Sequence, residues 1–247
     1  MQCEHDISQG EGPLHVRLAN IMREQIYMQN WPPGAQLPSE YETMTEYGVS
    51  RGTVKKAIQA LVDEGLVEKR QGKGSFVSNP LGGFYSGSSL LSFAESFRMQ
   101  GIDFETTVIS AEIIQANEVC AAKLQVPLGT SVFFLRRVRS TDSGPLIYME
   151  SRLNLMSCPG LENYDYTKTN LFNAVEECSG RKIGYAKARY GARLAGMQRS
   201  RYLECDDKAP VLNIDQVIYL DDNRTAEWGN MWLPANRYVL VSVLQRM

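Results

Sequence analysis

Val49-Ser50-Arg51-Gly52-Thr53-Val54-Lys55-Lys56-Ala57 is the stretch on which the reading of this chain turns. Ser50 has the side chain of a good N-cap, and behind it Val54, Ala57, Ile58, Leu61 and Val62 return at helical spacing. A helix is predicted there, ending at Gly65. Upstream, Ser39 and Glu42 have the spacing of a capping box, which predicts a short helix over residues 39–46 stopped by Gly48. Two helices joined across so short a turn make a helix-turn-helix. Further upstream, Leu14, Leu18, Ile21, Met22 and Ile26 predict an amphipathic helix over residues 14–28, broken by Pro32-Pro33-Gly34. Downstream the period changes. Leu66-Val67-Glu68-Lys69-Arg70 and Ser75-Phe76-Val77 read as short strands around Gln71-Gly72-Lys73-Gly74, a hairpin standing beside the helices as a wing.

Charge is concentrated on the same segment. Residues 1–49 hold two basic and seven acidic side chains, a balance of −5, whereas residues 50–74 hold six basic and three acidic, a balance of +3. The whole chain stands at −2. A basic cluster can be no more than a solvated helix face; on a shape that fits a groove it becomes a nucleic-acid footprint. The first turn of the helix capped by Ser50 offers free backbone N–H groups to phosphate, and Arg51 can pair bidentately with a guanine edge or a phosphate.

From Leu14 to Val77 the sequence resembles the DNA-binding domain of the GntR family of bacterial transcription regulators. The resemblance is carried by Pro33-Gly34 with Leu37-Pro38-Ser39-Glu40, by the stretch from Val49 to Ala57, and by Glu64-Gly65-Leu66-Val67 with Gln71-Gly72-Lys73-Gly74-Ser75-Phe76-Val77. It implies a winged helix whose positions Ser50, Arg51, Gly52, Thr53 and Lys55 approach double-stranded operator DNA, with Gly72 entering the minor groove. Ser39, Tyr41, Gln71 and Lys73 complete the expected DNA-facing set. Two positions depart from the family pattern, Tyr41 and Lys55, both of which are commonly Arg. Tyr41 can donate one hydrogen bond to phosphate but has no fork with which to read guanine.

Asn79-Pro80-Leu81-Gly82-Gly83-Phe84-Tyr85-Ser86-Gly87-Ser88-Ser89 is rich in Gly and Ser and is read as a linker, dividing the chain into domains 1–78 and 90–247. Beyond it the pattern predicts helices near 90–100, 117–124 and 170–178. Strands are predicted at 106–113, 132–140, 146–153, 211–220 and 225–233. Residues 204–217 follow residues 125–138 at an offset of 79, so a duplicated helix and hairpin is expected, giving an α+β domain on a mainly antiparallel sheet. Alternation along 132–140 puts Phe133, Leu135, Arg137 and Arg139 on one face, where two arginines are costly to bury alone. Either a salt bridge, with Glu150 or another carboxylate, or a pocket for an anionic ligand would account for them.

Residues 90–244 resemble the UTRA effector-binding domain of the HutC branch of the same family. The resemblance is clearest at Lys123-Leu124, Val126-Pro127, Gly129, Arg137-Val138-Arg139, Pro145-Leu146, Glu150-Ser151, Pro159-Gly160-Leu161 and Asn236-Arg237-Tyr238. It implies a fold like that of chorismate lyase, dimerisation through this domain, and a small effector. By the resemblance Arg137 and Arg139 hold the effector's anion, as in phosphosugar-binding members. Ser92 lies beside that anion, and Glu150 and Glu227 meet the ligand's hydroxyl or amino groups. Where the family has Ser-Leu-Tyr, this chain has Asn170-Leu171-Phe172, leaving Asn170 as a donor and removing one hydroxyl. The run from Tyr238 to Leu244 reads as either a dimer-edge strand or a core strand.

Composition narrows the alternatives. The chain has 247 residues, 43% hydrophobic and 22% charged, as globular proteins have, and no apolar run is long enough to span a bilayer. Its polar, acidic start is unlike a secretory signal, so a cytoplasmic protein is expected. Cys3, Cys120, Cys158, Cys178 and Cys205 lack metal-ligand or redox spacing and read as reduced thiols. With only His5 and His15, a histidine triad or His-rich metal site is not expected, and neither is any cofactor. The expectation is an effector-responsive homodimeric repressor rather than a small-acid lyase or an effector-independent architectural DNA binder.

Overall fold

The computed structural model describes Ile7 and residues 12–78, 81–86, 90–235 and 237–242. Cys3, His5, Asn236, Val243 and Leu244 lie outside the described residues. Two compact units divide the chain, Met1–Pro80 and Leu81–Met247.

The first unit is built from α1 (Leu14–Tyr27), α2 (Glu40–Tyr47), α3 (Arg51–Asp63), β1 (Val67–Arg70) and β2 (Gly74–Val77). Both expected caps are present. The Glu42 N–H donates to Ser39 Oγ while the Ser39 N–H donates to Glu42 Oε2, and the Thr53 N–H donates to Ser50 Oγ. Gly48 ends α2 at φ +63°, a left-handed conformation that lets the chain reverse into α3. Leu18, Met22, Val54, Ala57, Ile58 and Leu61 form the core with Leu66, Val67 and Val77 from the hairpin, and Val62 packs at its margin. The segment before α2 lies along the wing, since Leu37 N–H donates to Ser75 O and Val77 N–H to Ala35 O.

The second unit contains β3 (Leu81–Ser86), α4 (Phe93–Met99), β4 (Glu105–Gln115), α5 (Glu118–Leu124), β5 (Ser131–Thr141), β6 (Gly144–Asn154) and α6 (Leu171–Ser179). These are followed by β7 (Ile183–Leu194), α7 (Gly196–Leu203), β8 (Pro210–Leu220), β9 (Thr225–Pro234) and β10 (Tyr238–Ser242). Six antiparallel strands form one sheet in the order β4-β5-β6-β9-β8-β7. The order shows the duplication: each half runs strand, short helix, hairpin, and the halves meet at β6 and β9. Both short helices end in a left-handed residue, Gln125 and Glu204, at the same offset of 79 as the sequence match.

Two readings of the sequence need correction. β7 was not anticipated: with ten of its twelve positions charged, small or aromatic and most of them exposed, it lacks the alternation that marks a half-buried strand. Within the stretch read as linker, residues 81–86 form β3, which pairs in parallel with β10. Gly-rich composition lowers intrinsic strand preference, but backbone pairing with a partner at the far end of the chain overrides it. The run from Tyr238 is therefore a paired strand in its first five residues.

A polar knot ties the two halves together. Buried Asn154, at the end of β6, donates to Ser157 Oγ at 3.1 Å and to Thr225 O at 3.0 Å, and accepts from Met156 N–H at 3.0 Å. Thr225 Oγ1 in turn donates to Leu124 O, at the buried C-terminal end of α5. Every polar atom of the Asn154 amide is thus engaged, and truncation strands several of them. Asn154→Ala is expected to lower stability by about 1–3 kcal/mol, measured by denaturant titration, with Ser157→Ala costing less.

Candidate functional site

The face of the sheet away from α5 and α7 carries a cavity of about 410 Å³ inside the second unit. Its polar end is on β5. Arg137 and Arg139 point the same way along the strand and are 2% and 4% exposed. Arg137 Nη2 donates to Ser151 Oγ at 3.3 Å, but Arg137 Nε and Nη1 and Arg139 Nε have no hydrogen-bond partner. Burial drives both guanidinium pKa values down, Arg139 to about 9, where Arg137 and Arg98 add like-charge repulsion. Glu227 on β9 opposes both charges, and Glu95 adds to it at Arg139; burial raises the pKa of Glu227, against the pull of Ser151, Arg137 and Arg139. Among the described residues no ion pair joins it to either arginine.

Two helix starts face the same cavity. Ser92 caps α4, accepting from Glu95 N–H and donating to Glu95 Oε2 at 2.8 Å. Asn170 caps α6, accepting from Phe172 N–H at 3.1 Å, and it lines the cavity together with Ser92. Orphan N–H groups and the positive end of a helix favour an anion at such places. The expected anion cluster of Ser92, Arg137, Arg139 and Asn170 is therefore assembled around one space, with Glu227 across from it.

Glu150 is the exception. The antiparallel register sets it opposite Arg136, not Arg137, so its side chain emerges on the other face of the sheet. There it accepts from Tyr148 Oη at 3.0 Å and pairs with Arg152 at 3.2 Å. It neither reaches the cavity nor neutralises Arg137 or Arg139, so the salt-bridge alternative with Glu150 also falls. Its neighbour Ser151 lines the cavity instead, and Gln216 on β8 and Tyr190 on β7 join it. Alternation along β6 was the signal that distinguished Ser151 from Glu150.

In the first unit Ser39, Tyr41, Ser50, Arg51, Gly52, Lys55, Gln71, Gly72 and Lys73 are exposed, and Thr53 is half-buried. Tyr41 is 76% exposed. Gly72 takes φ +72° at the wing tip, a conformation that side chains disfavour. The Lys73 carbonyl is held by Gln36 Nε2 at 2.9 Å. Arg51 Nε is clasped by Glu40 at 2.7 Å across the helix-turn-helix. Neither that clasp nor the Gln36 brace is visible in the sequence, since both join residues far apart in the chain. An exposed pair of this kind contributes at most about 1 kcal/mol, so Arg51 can exchange Glu40 for a base or a phosphate at little cost.

A helix-turn-helix head with a basic wing, joined to a sheet unit holding an arginine-lined cavity, defines a DNA-binding regulator with a ligand-sensing domain. The chain belongs to the bacterial gntR family of regulatory proteins, with a UTRA domain: the gntR family model matches residues 14–77 and the UTRA domain model residues 99–239. It is 28% identical to the mannosyl-D-glycerate transport/metabolism system repressor MngR of Escherichia coli over 96% of this chain and 98% of that one. It is 27% identical to the HTH-type transcriptional repressor NagR of Bacillus subtilis, over 95% and 96%. The crystal structure of PhnF from Mycobacterium smegmatis shares the fold at 23% identity, with a TM-score of 0.64 over 93% of this chain and 99% of that one. The chain is accordingly a DNA-binding transcription regulator and not an enzyme.

Two outcomes test the geometry. Arg51→Ala should weaken specific operator binding by about 1–3 kcal/mol in a mobility-shift titration at fixed salt, with no change in melting temperature. Arg139→Leu should stabilise the ligand-free protein by about 1–4 kcal/mol, because it removes a buried, under-compensated charge. The same change should eliminate any rise in melting temperature caused by inorganic phosphate.

Proposed function

We propose that this chain is a one-component repressor that binds double-stranded operator DNA as a homodimer in the cytoplasm and leaves the operator when a small anionic metabolite fills the cavity. Residues 1–78 act as the DNA-binding head, through Ser39, Tyr41, Ser50, Arg51, Gly52, Thr53, Lys55, Gln71, Gly72 and Lys73. Residues 90–247 act as the effector-binding and dimerisation domain, with β3 counted alongside them.

One observation carries the effector reading: Arg137 and Arg139 are buried on one strand face with unpartnered guanidinium nitrogens, and both line a cavity. Buried charges are ordinarily paired, so a site that keeps two cations without an ion pair is complementary to an anion. Ser92 and Asn170 add the helix starts, and Glu227 chooses the ligand's neutral portion. The relatives' names refer to mannosyl-D-glycerate and, for a Shigella flexneri repressor 26% identical to this chain, fructoselysine utilisation. A phosphate or carboxylate group on a small metabolite, of the kind a phosphosugar or a sugar acid carries, supplies the anion that the arginines require.

Linkage makes the test specific. A ligand shifts the regulator only through its different affinity for the DNA-bound and released states. Arg137→Gln together with Arg139→Gln is expected to leave operator affinity intact and to abolish release by the metabolite. Release at the wild-type metabolite concentration would place the effector site elsewhere.

A further inference from the structure

The cavity is longer than an anion needs, and its far end is apolar. Strand register lays out its floor. Arg137 on β5 stands opposite Met149, Met149 opposite Met231, Met231 opposite Ile214, and Ile214 opposite Tyr190 on the edge strand β7. Four interstrand steps of about 4.8 Å make this row roughly 19 Å long. Only its first residue is charged, and the three between the ends are apolar.

The adjacent row differs. It runs through Ser151, Gly229, Gln216 and Ala188. Gly229 has no side chain, and Glu227 Oε1 lies 3.1 Å from where a Cβ would stand, so the glycine leaves room for the carboxyl to lean over the floor. Apart from the exposed Tyr190 hydroxyl at the rim, hydrogen-bonding side chains therefore occupy the middle of the site and stop at Gln216. Beyond it, towards β7, the lining is Leu212, Ile214, Ala186 and Ala188, with the exposed ring of Tyr190 at the rim. Leu240 and Phe93 line the cavity too and pack against the apolar cluster that contains Met149, Ile214 and Met231.

A compact polyhydroxylated ligand would leave this far compartment unfilled or would press hydroxyls against carbon, which is unfavourable without partners. A chain or ring of carbon would remove apolar wall from water at no polar cost. On the reading that the cavity is the effector site, we propose that its ligand is an amphipathic anion. A phosphate or carboxylate head sits at Arg137 and Arg139, a short hydrogen-bonding portion faces Glu227 and Gln216, and an alkyl or aryl arm lies along Met231 and Ile214 towards Tyr190.

The test is calorimetric titration of the full-length protein with inorganic phosphate, glucose 6-phosphate, phenyl phosphate and hexyl phosphate. Phenyl and hexyl phosphate are expected to bind at least tenfold more tightly than either of the others. Ala188→Phe, an exposed strand position that accepts an aromatic ring, fills the far compartment. It is expected to cancel that gain while changing inorganic phosphate affinity less than twofold. Glucose 6-phosphate binding as tightly as hexyl phosphate in the wild type would overturn the apolar arm and leave the anion site standing. The wild-type ranking decides this even if the Ala188 variant does not fold. Equal affinity of hexyl phosphate for wild type and for Arg137→Gln would instead overturn the anion site, and the amphipathic ligand with it.

Discussion

Two guanidinium groups buried on one face of β5 without matching anions are the constraint around which the second unit is organised. Their burial is imposed by the alternation of a central strand: Phe133 and Leu135, which share that face, belong to the core, and Arg137 and Arg139 follow in the same phase. What surrounds them offsets little of that cost. The carboxyl acting on both is Glu227, itself made harder to ionise by burial, and the helix starts at Ser92 and Asn170 bring partial positive charge, which repels them. A structure optimised for stability alone would have filled these positions with carbon. The deficit is local and borders a cavity, and this is the feature on which the proposed effector site rests.

The duplication explains how one cavity came to have two ends of different character. At the offset of 79, Arg137 corresponds to Gln216 and Arg139 to Ile218. Arg137 and Gln216 both line the cavity, from β5 and from β8, because the halves of the sheet are arranged about the β6/β9 junction. Equivalent positions thus face one shared volume from opposite sides. The first half contributes charge there and the second contributes an amide, with aliphatic side chains and an open edge strand beyond it. An approximately symmetric scaffold with asymmetric chemistry gives a ligand one orientation only.

How much of this was legible in the sequence depended on how far apart the interacting residues lie. In the head, the caps at Ser39 and Ser50, the turn at Gly48 and the wing tip at Gly72 are local devices, and each stands where its residue type requires. The arginine pair was legible because strand alternation is also local. Glu150 was misplaced because its position depends on register between two strands, and a shift of one residue changes the face. β7 escaped notice because an exposed edge strand has no hydrophobic period to display, and β3 because its partner β10 is at the other end of the chain. Glu40 and Gln36 were invisible for the same reason: their partners meet them only after folding.

Floor and roof of the cavity have different consequences for regulation. Contacts to β5, β6, β9 and β8 are made to a sheet whose strands hydrogen-bond to neighbours on both sides, so they favour binding in any state that keeps the sheet. Affinity of that kind shifts no equilibrium, however large it is. Ser92, Asn170 and Leu240 instead approach the cavity from α4, α6 and β10, none of which belongs to the six-stranded sheet. A change from mostly bound to mostly released operator requires about 5.5 kcal/mol of differential affinity. In this architecture that difference has to be generated where the ligand bridges floor and roof. On the proposed effector reading, the arginines set how tightly an anion is held, and the two helix caps and β10 determine whether holding it is felt outside the cavity.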